Sequence, residues 1–198
     1  MPDVVLKAEH VTKKFGGITA LENAELELYK GEVHALVGAN GAGKSTLIKI
    51  ITGAYSNDEG EIYLDGQKIE VKSTFDARAK GISAVYQEFS LINTVSVAEN
   101  IFMGKLLYNN LGPIPRADWK KMNDETQKLL DSLGVTNINP ETIVGRLSVA
   151  QKQMVEIAKA LSNDLKVLIM DEPTASLSDN EIDNMFKIVK ELKAKGIS

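Results

Sequence analysis

The chain has 198 residues, 23 Lys and Arg against 27 Asp and Glu, a net charge of −4, no cysteine and two histidines. That length suits one globular unit with room for an added lobe, and a core that needs no covalent staples; a 43% hydrophobic and 25% charged content excludes disorder, collagen and a disulfide scaffold. The missing cysteine excludes thiolate metal sites and thiol catalysis, His10 and His34 leave little room for an imidazole metal site, the acidic balance gives no nucleic-acid footprint, and the absence of a spanning apolar run or a signal-peptide core points to a soluble, cytoplasmic protein.

Val4–Val11 is rich in apolar residues and predicts a strand. Asn23–Tyr29 alternates, with Ala24, Leu26 and Leu28 on one face and Glu25, Glu27 and Tyr29 on the other. That is the pattern of a half-buried antiparallel strand. Val33–Val37 is short and almost wholly apolar and predicts a buried strand. A glycine-rich loop follows, then the apolar segment Leu47–Ile51. Asn57–Gly60 marks a turn, Glu61–Leu64 alternates again, and Asp65-Gly66 turns the chain once more. Ser73–Lys80 predicts a helix that stops at Gly81, and Ile82–Tyr86 predicts a strand. Residues 88–146 lack strand signals. They are punctuated by Gly112-Pro113-Ile114-Pro115, followed by Trp119, Met122, Leu129, Leu130 and Leu133 at helical spacings.

Further on, Met154, Ile157, Ala158 and Leu161 share one helical face. Leu165–Met170 predicts a buried strand. Ile182, Met185, Phe186, Val189 and Leu192 form another helical stripe, ended by Gly196. Alternating helices and short apolar strands imply an α/β fold with a mostly parallel core sheet. The early strands form an antiparallel side sheet, and the middle of the chain forms a helical insertion. Among isolated residues, His10 is expected on a strand surface, His34 in the core or at a sheet edge, and Trp119 packed in the helical lobe. The acidic cluster Asp179–Asp183 is expected to be a solvated first helical turn.

Gly38-Ala39-Asn40-Gly41-Ala42-Gly43-Lys44-Ser45 matches the phosphate-loop pattern, with a predicted strand before it and a helical segment after it. Glycines let backbone N–H groups converge on phosphate oxygens, and a helix N-terminus adds positive potential. Lys44 is suited to the β- and γ-phosphates and Ser45 to Mg²⁺. A second signal is Val167–Glu172, an apolar strand that delivers Asp171 and Glu172 at its carboxyl end, where ligands of open α/β sheets bind. Asp171 suits a Mg²⁺ shell, and Glu172 suits polarising a water. Ser148 is a good N-cap for the helix that follows it; it reads equally as a plain helix start or as an anion site.

The phosphate loop, Gln87, Leu147-Ser148-Val149-Ala150-Gln151 and the run Leu168–Ser178 occur in the order and spacing of ATP-binding cassette (ABC) ATPases. The chain resembles the N-terminal cassette of the double-cassette ATPase in ribose-, galactose- and xylose-type importers. Tyr86–Leu91, Ser96–Phe102 and Leu147–Leu161 carry that resemblance. It implies a P-loop NTPase of ABC-ATPase type. Residues 1–87 form the first part of the nucleotide-binding core, 88–160 a helical subdomain and 161–198 the second part of the core.

The resemblance also implies that ATP is held by Phe15, Gly38, Asn40, Gly41, Ala42, Gly43, Lys44, Ser45 and Thr46. Ser148 and Gln151 reach the nucleotide of a second, head-to-tail cassette. Mg²⁺ falls to Ser45, Gln87 and Asp171, and catalysis to Glu172, Gln87 and Lys44. A membrane permease meets residues near 88–105, a sugar-binding protein acts indirectly, and the protein sits peripherally on the cytoplasmic face of a bacterial membrane. For Phe15, an exposed or core phenylalanine stays open beside adenine stacking. Two departures stand out: Val149 and Ala150 replace the signature glycines, and Ser176-Leu177-Ser178 stands where many cassettes carry Ala-Leu-Asp. The family's switch histidine belongs on a strand after the Ile182–Leu192 helix, so a truncated cassette with weak ATP binding and poor hydrolysis is expected. The rivals are a soluble cassette protein of translation or DNA repair, disfavoured by the acidic charge, and a P-loop kinase, disfavoured by the LSVAQ helix.

Overall fold

The computed structural model describes residues 3–86, 88–109, 115–174 and 177–198. In chain order its elements are β1 (Val4–Phe15), β2 (Ile18–Tyr29), α1 (Lys44–Ile51), β3 (Glu59–Leu64), β4 (Gln67–Ile69), α2 (Thr74–Ala79) and β5 (Ile82–Val85). They continue with α3 (Val97–Phe102), β6 (Tyr108–Asn109), β7 (Arg116–Ala117), α4 (Trp119–Ser132), a 3₁₀ turn at Val144–Arg146, α5 (Val149–Leu161), β8 (Val167–Met170) and α6 (Asp179–Ala194). Contacts divide the chain into two units, one of residues 1–84, 164–171 and 185–198, the other of 85–163 and 172–184.

The first unit is built on an antiparallel sheet in the order β2-β1-β3-β4. The register places Leu6 opposite Leu28 and Leu64, and Ala8 opposite Leu26 and Ile62. Period-2 alternation then gathers these side chains on one face. In β2 the expected alternation holds: Leu28 is buried, Ala24 and Leu26 are half-buried, and Glu25 and Glu27 are exposed. The hairpin between β3 and β4 turns on Asp65 and Gly66, both at positive φ (49° and 75°), as a two-residue primed turn requires. Where β1 bulges at His10, Gly60 crosses so closely that a Cβ would lie 2.4 Å from the His10 carbonyl oxygen. Leu47, Ile50 and Ile51 of α1 join Leu6, Val11 and Ile62 in one core cluster, together with Ile82 and Val167.

β5 and β8 form a separate two-stranded parallel pair. On the other side of β8, Ser198 accepts from the Leu168 N–H (2.8 Å) and donates to the Lys166 carbonyl (3.0 Å). The expected strand at Val33–Val37 is not formed. Residues 32–39 have no regular secondary structure, and Val33 and Val37 are 59% and 88% exposed. Apolar, β-prone residues become a strand only when a neighbour completes their hydrogen bonds. Among the described residues none does. His34 is correspondingly exposed, not in a core, and its Nδ1 lies 3.4 Å from Glu32. His10 is on the surface as expected, its Nδ1 2.8 Å from Asn23 Oδ1.

In the second unit α3, α4 and α5 pack on one another. Met122, Thr126 and Leu130 line the buried face of α4. Trp119, expected to pack there, is 51% exposed; it opens α4, and the packed face begins a turn later at Met122. Helix α5 is buried on more than one face, through Val155, Glu156, Ile157, Ala158 and Ala160. The middle of the chain also holds a strand pair that its sequence does not signal, Tyr108 opposite Ala117 and Asn109 opposite Arg116. Two-residue strands are too short to leave a periodicity. In α6 the buried stripe is Met185, Ile188 and Leu192. Phe186, expected in that stripe, is 51% exposed, because it sits about 100° around the helix from Met185.

Candidate functional site: an uncapped helix behind a glycine loop

Helix α1 starts in an unusual way for this chain. Its N-cap is Gly43, at φ 87°, with no side-chain cap and no acidic residue in the first turn. By contrast α2, α3, α4 and α5 are capped by the side chains of Ser73, Ser96, Asp118 and Ser148. The first N–H groups of any helix lack intrahelical partners and carry partial positive charge. In α1, among the described residues, no side chain caps them. Gly43 is also sterically required: a Cβ would meet Leu21 Cδ1 at 2.7 Å and the Ala20 carbonyl oxygen at 3.1 Å.

The loop residues Gly38, Asn40, Gly41 and Ala42 and the hydroxyl-bearing Ser45 are exposed, while Lys44 and Thr46 are partly covered. Lys44 bends back over its own loop. Its ammonium donates to the Gly38 carbonyl at 2.6 Å and the Ala39 carbonyl at 3.0 Å. The curl is closed by the Ala42 N–H on the Ala39 carbonyl, 3.2 Å away. A cation thus already sits in the concavity, beside exposed glycines and an uncapped helix.

Asp171 follows β8 directly and is half-buried. Among the described residues no group of three or more His, Cys, Asp or Glu could hold a metal ion. A hydroxyl at Ser45 and one carboxylate at Asp171 suit Mg²⁺ nonetheless. That ion keeps several waters and needs few protein ligands when phosphate oxygens supply the rest. Glu172 is exposed and adopts the left-handed backbone region, φ 49°. Gln87 lies outside the described residues.

Phe15 ends β1 and is 41% exposed, so of the two bland alternatives the buried one does not apply. Its ring meets Tyr55 edge-on, centroids 5.2 Å apart, and Lys13 Nζ lies 5.5 Å from the Phe15 centroid. Lys13 also pairs with Asp58 at 2.8 Å; this bond, with the Lys14 N–H, holds the Asp58 carboxyl below its ordinary range. Tyr55 carries no sequence signal that would link it to Phe15, forty residues away.

Ser148 is an N-cap as expected, in a capping box with Gln151: its Oγ accepts from the Gln151 N–H at 3.2 Å, and Gln151 Oε1 accepts from the Ser148 N–H at 3.0 Å. The serine oxygen is engaged as an acceptor, but its proton can still be donated outward. Gln151 Nε2 is directed to the Asn137 carbonyl, 3.3 Å away.

The family model for ABC transporters matches residues 21–175. The chain belongs to the ABC transporter family. Among the curated proteins to which this ABC-family chain is similar is the ribose import ATP-binding protein RbsA of Caldanaerobacter subterraneus, 44% identical over 98% of this chain and 38% of its own length. A second RbsA, from Rubrobacter xylanophilus, is 48% identical with 98% and 38% covered. A putative ribose/galactose/methyl galactoside import ATP-binding protein of Burkholderia ambifaria is 47% identical with 98% and 37% covered. The chain therefore spans well under half the length of these relatives. Among solved structures, a nucleotide-free ATP-binding cassette from an ABC transporter superposes with a TM-score of 0.84 at 31% identity, covering 98% of this chain and 79% of that one. An ATP-binding cassette in its ADP conformation gives 0.82 at 31% identity, with 98% and 78% covered. The α/β cassette fold is thus borne out, although among the described residues the stretch before the phosphate loop forms no strand.

Proposed function

We propose that this cassette binds and hydrolyses ATP to energise monosaccharide import through a membrane permease. The observation that carries the reading is the uncapped α1 N-terminus with Lys44 seated over the loop. The importer names of relatives 44% to 48% identical to the chain supply the sugar. Residues 1–87 and 161–198 serve as the nucleotide-binding core and 88–160 as the helical subdomain.

In this reading, loop N–H groups from Gly38 to Ser45 and the first turn of α1, including Thr46, bind the phosphates. Lys44 exchanges its loop carbonyls for β- and γ-phosphate oxygens. The exposed ring of Phe15 stacks on adenine. Ser45, Gln87 and Asp171 would hold Mg²⁺, which when bound neutralises charge developing on the phosphates. Glu172 orients a water and accepts its proton as the oxygen attacks the γ-phosphorus and the bond to the β-phosphate oxygen breaks. Ser148 donates its free hydroxyl proton to the γ-phosphate held by a second, head-to-tail cassette, with Gln151 holding it in place. Residues near 88–105 meet the permease, a sugar-binding protein delivers the cargo, and the cassette works peripherally at the cytoplasmic face.

The test is Glu172→Gln in the complete protein. ATP binding measured by calorimetry should persist, whereas steady-state phosphate release should fall at least about a hundredfold, the usual minimum contribution of a positioned base. Unchanged turnover would remove Glu172 from the reaction.

A further inference from the structure

Glu156 is a buried carboxylate with no part in the scheme above. It is 5% exposed, and burial of an ionisable side chain is tolerated only when its oxygens are hydrogen-bonded. Both oxygens are directed to one residue far away in the chain: Oε1 accepts from the Ser90 N–H, and Oε2 accepts from the Ser90 hydroxyl at 3.1 Å. One helical turn further along α5, Lys159 Nζ donates to Ser90 Oγ at 3.2 Å and to the Ser90 carbonyl at 3.4 Å. Ser90 itself is exposed, so the protein has buried a carboxylate to hold a surface loop.

The loop is held a second time. Asn100 of α3, fully buried, accepts from the Ile92 N–H at 2.7 Å and donates to the Ile92 carbonyl at 3.0 Å. The main-chain N–H and C=O of both Ser90 and Ile92 are therefore taken by side chains of two helices. Such a segment has little freedom to move independently of those helices. Helix α5 starts at Ser148, and Glu156 lies about two turns along it. A displacement of Ser148 is thus carried along a rigid rod to Ser90.

We infer that Glu156, backed by Lys159, is a positioning residue that couples the 90–92 loop to the Ser148 end of α5, so that events at the nucleotide reach the permease-facing loop. This rests on the proposed function, because the loop lies within the segment assigned to the permease. Ser90 is the relay, and Glu156 touches neither nucleotide nor cargo.

The experiment uses the complete transporter in vesicles and compares Glu156→Ala, Glu156→Gln and Ser90→Ala with the unmodified protein. The readout is sugar moved per ATP hydrolysed. A variant that is merely misfolded loses both rates together and keeps the ratio. Glu156→Ala should lower the ratio at least about threefold, within the range of coupling changes from single residues. Glu156→Gln retains an acceptor oxygen and should recover part of the ratio, and Ser90→Ala should fall between. An unchanged ratio in Glu156→Ala, with both rates close to those of the unmodified protein, would overturn the proposal. Amide hydrogen exchange supplies a second arm that is independent of transport. In Glu156→Ala the Ser90 amide should exchange about tenfold faster, while the Ile92 amide, held by Asn100, keeps its rate. Equal exchange at Ser90 in both proteins would also overturn it. If the unmodified protein hydrolyses ATP without moving sugar, the transport reading fails while the exchange arm still decides the clamp.

Discussion

Lys44 is the residue whose position says most about the glycine loop. Its ammonium is satisfied by the Gly38 and Ala39 carbonyls, and an anion bound at the loop would compete with those carbonyls for it. Lys44→Ala should weaken ATP binding by calorimetry at least about tenfold, equivalent to ~1.4 kcal/mol, while the melting temperature of the protein without nucleotide changes little. Gly43 behaves in the opposite way. With φ at 87° and Leu21 Cδ1 2.7 Å from where a Cβ would stand, Gly43→Ala should cost about 1–3 kcal/mol of stability, read as a lowered denaturation midpoint with or without ATP. The glycine pattern was legible from sequence because each glycine answers a local backbone need. Tyr55 beside Phe15 was not, since that ring contact depends on how β1 and the loop after α1 come together.

At the scale of elements, the helix starts at Ser73 and Ser148 were legible. The start at Ser96 was not read, although Ser73, Ser96 and Ser148 all cap helices, and Ser96 and Ser148 do so in reciprocal boxes with Glu99 and Gln151. Such bonds span three residues and leave a local signature. The box at α3 makes stability depend on pH. The Ser96 N–H and hydroxyl hold the Glu99 carboxyl below its ordinary range. A carboxylate with a lowered folded pKa contributes fully above its unfolded value, about 4.3. That contribution is lost as pH falls through the lower folded value. Glu99→Gln should therefore flatten the stability profile on the acid side, measured by denaturant unfolding between pH 6 and 3, and Ser96→Ala should cost about 1 kcal/mol at neutral pH. The links that hold Ser90 and Ile92 left no such trace. Glu156 reads as one more polar residue on a helix until the fold brings a serine from far upstream to its oxygens.

For the molecule as a whole, the α/β class and the helical middle were readable from periodicity. The stretch at 33–37 was not, because a strand is a property of two segments and its sequence describes only one. Val33, Leu36 and Val37 are 59%, 40% and 88% exposed. Exposed apolar residues with unpaired backbone invite self-association. The 198-residue chain should therefore form species larger than a monomer as its concentration rises, by light scattering, and Val37→Lys should suppress them.

The backbone of Glu172 has a consequence for selection. At φ 49° an L-residue with a Cβ is held about 1 kcal/mol or more above a glycine in the same place. A library at position 172 sorted for heat resistance should enrich Gly and Asn, whereas the same library in the complete protein, sorted for the proposed ATP-driven uptake, should return Glu. Whatever keeps glutamate there works against thermal stability, and the gap between the two winning residues would measure how strongly.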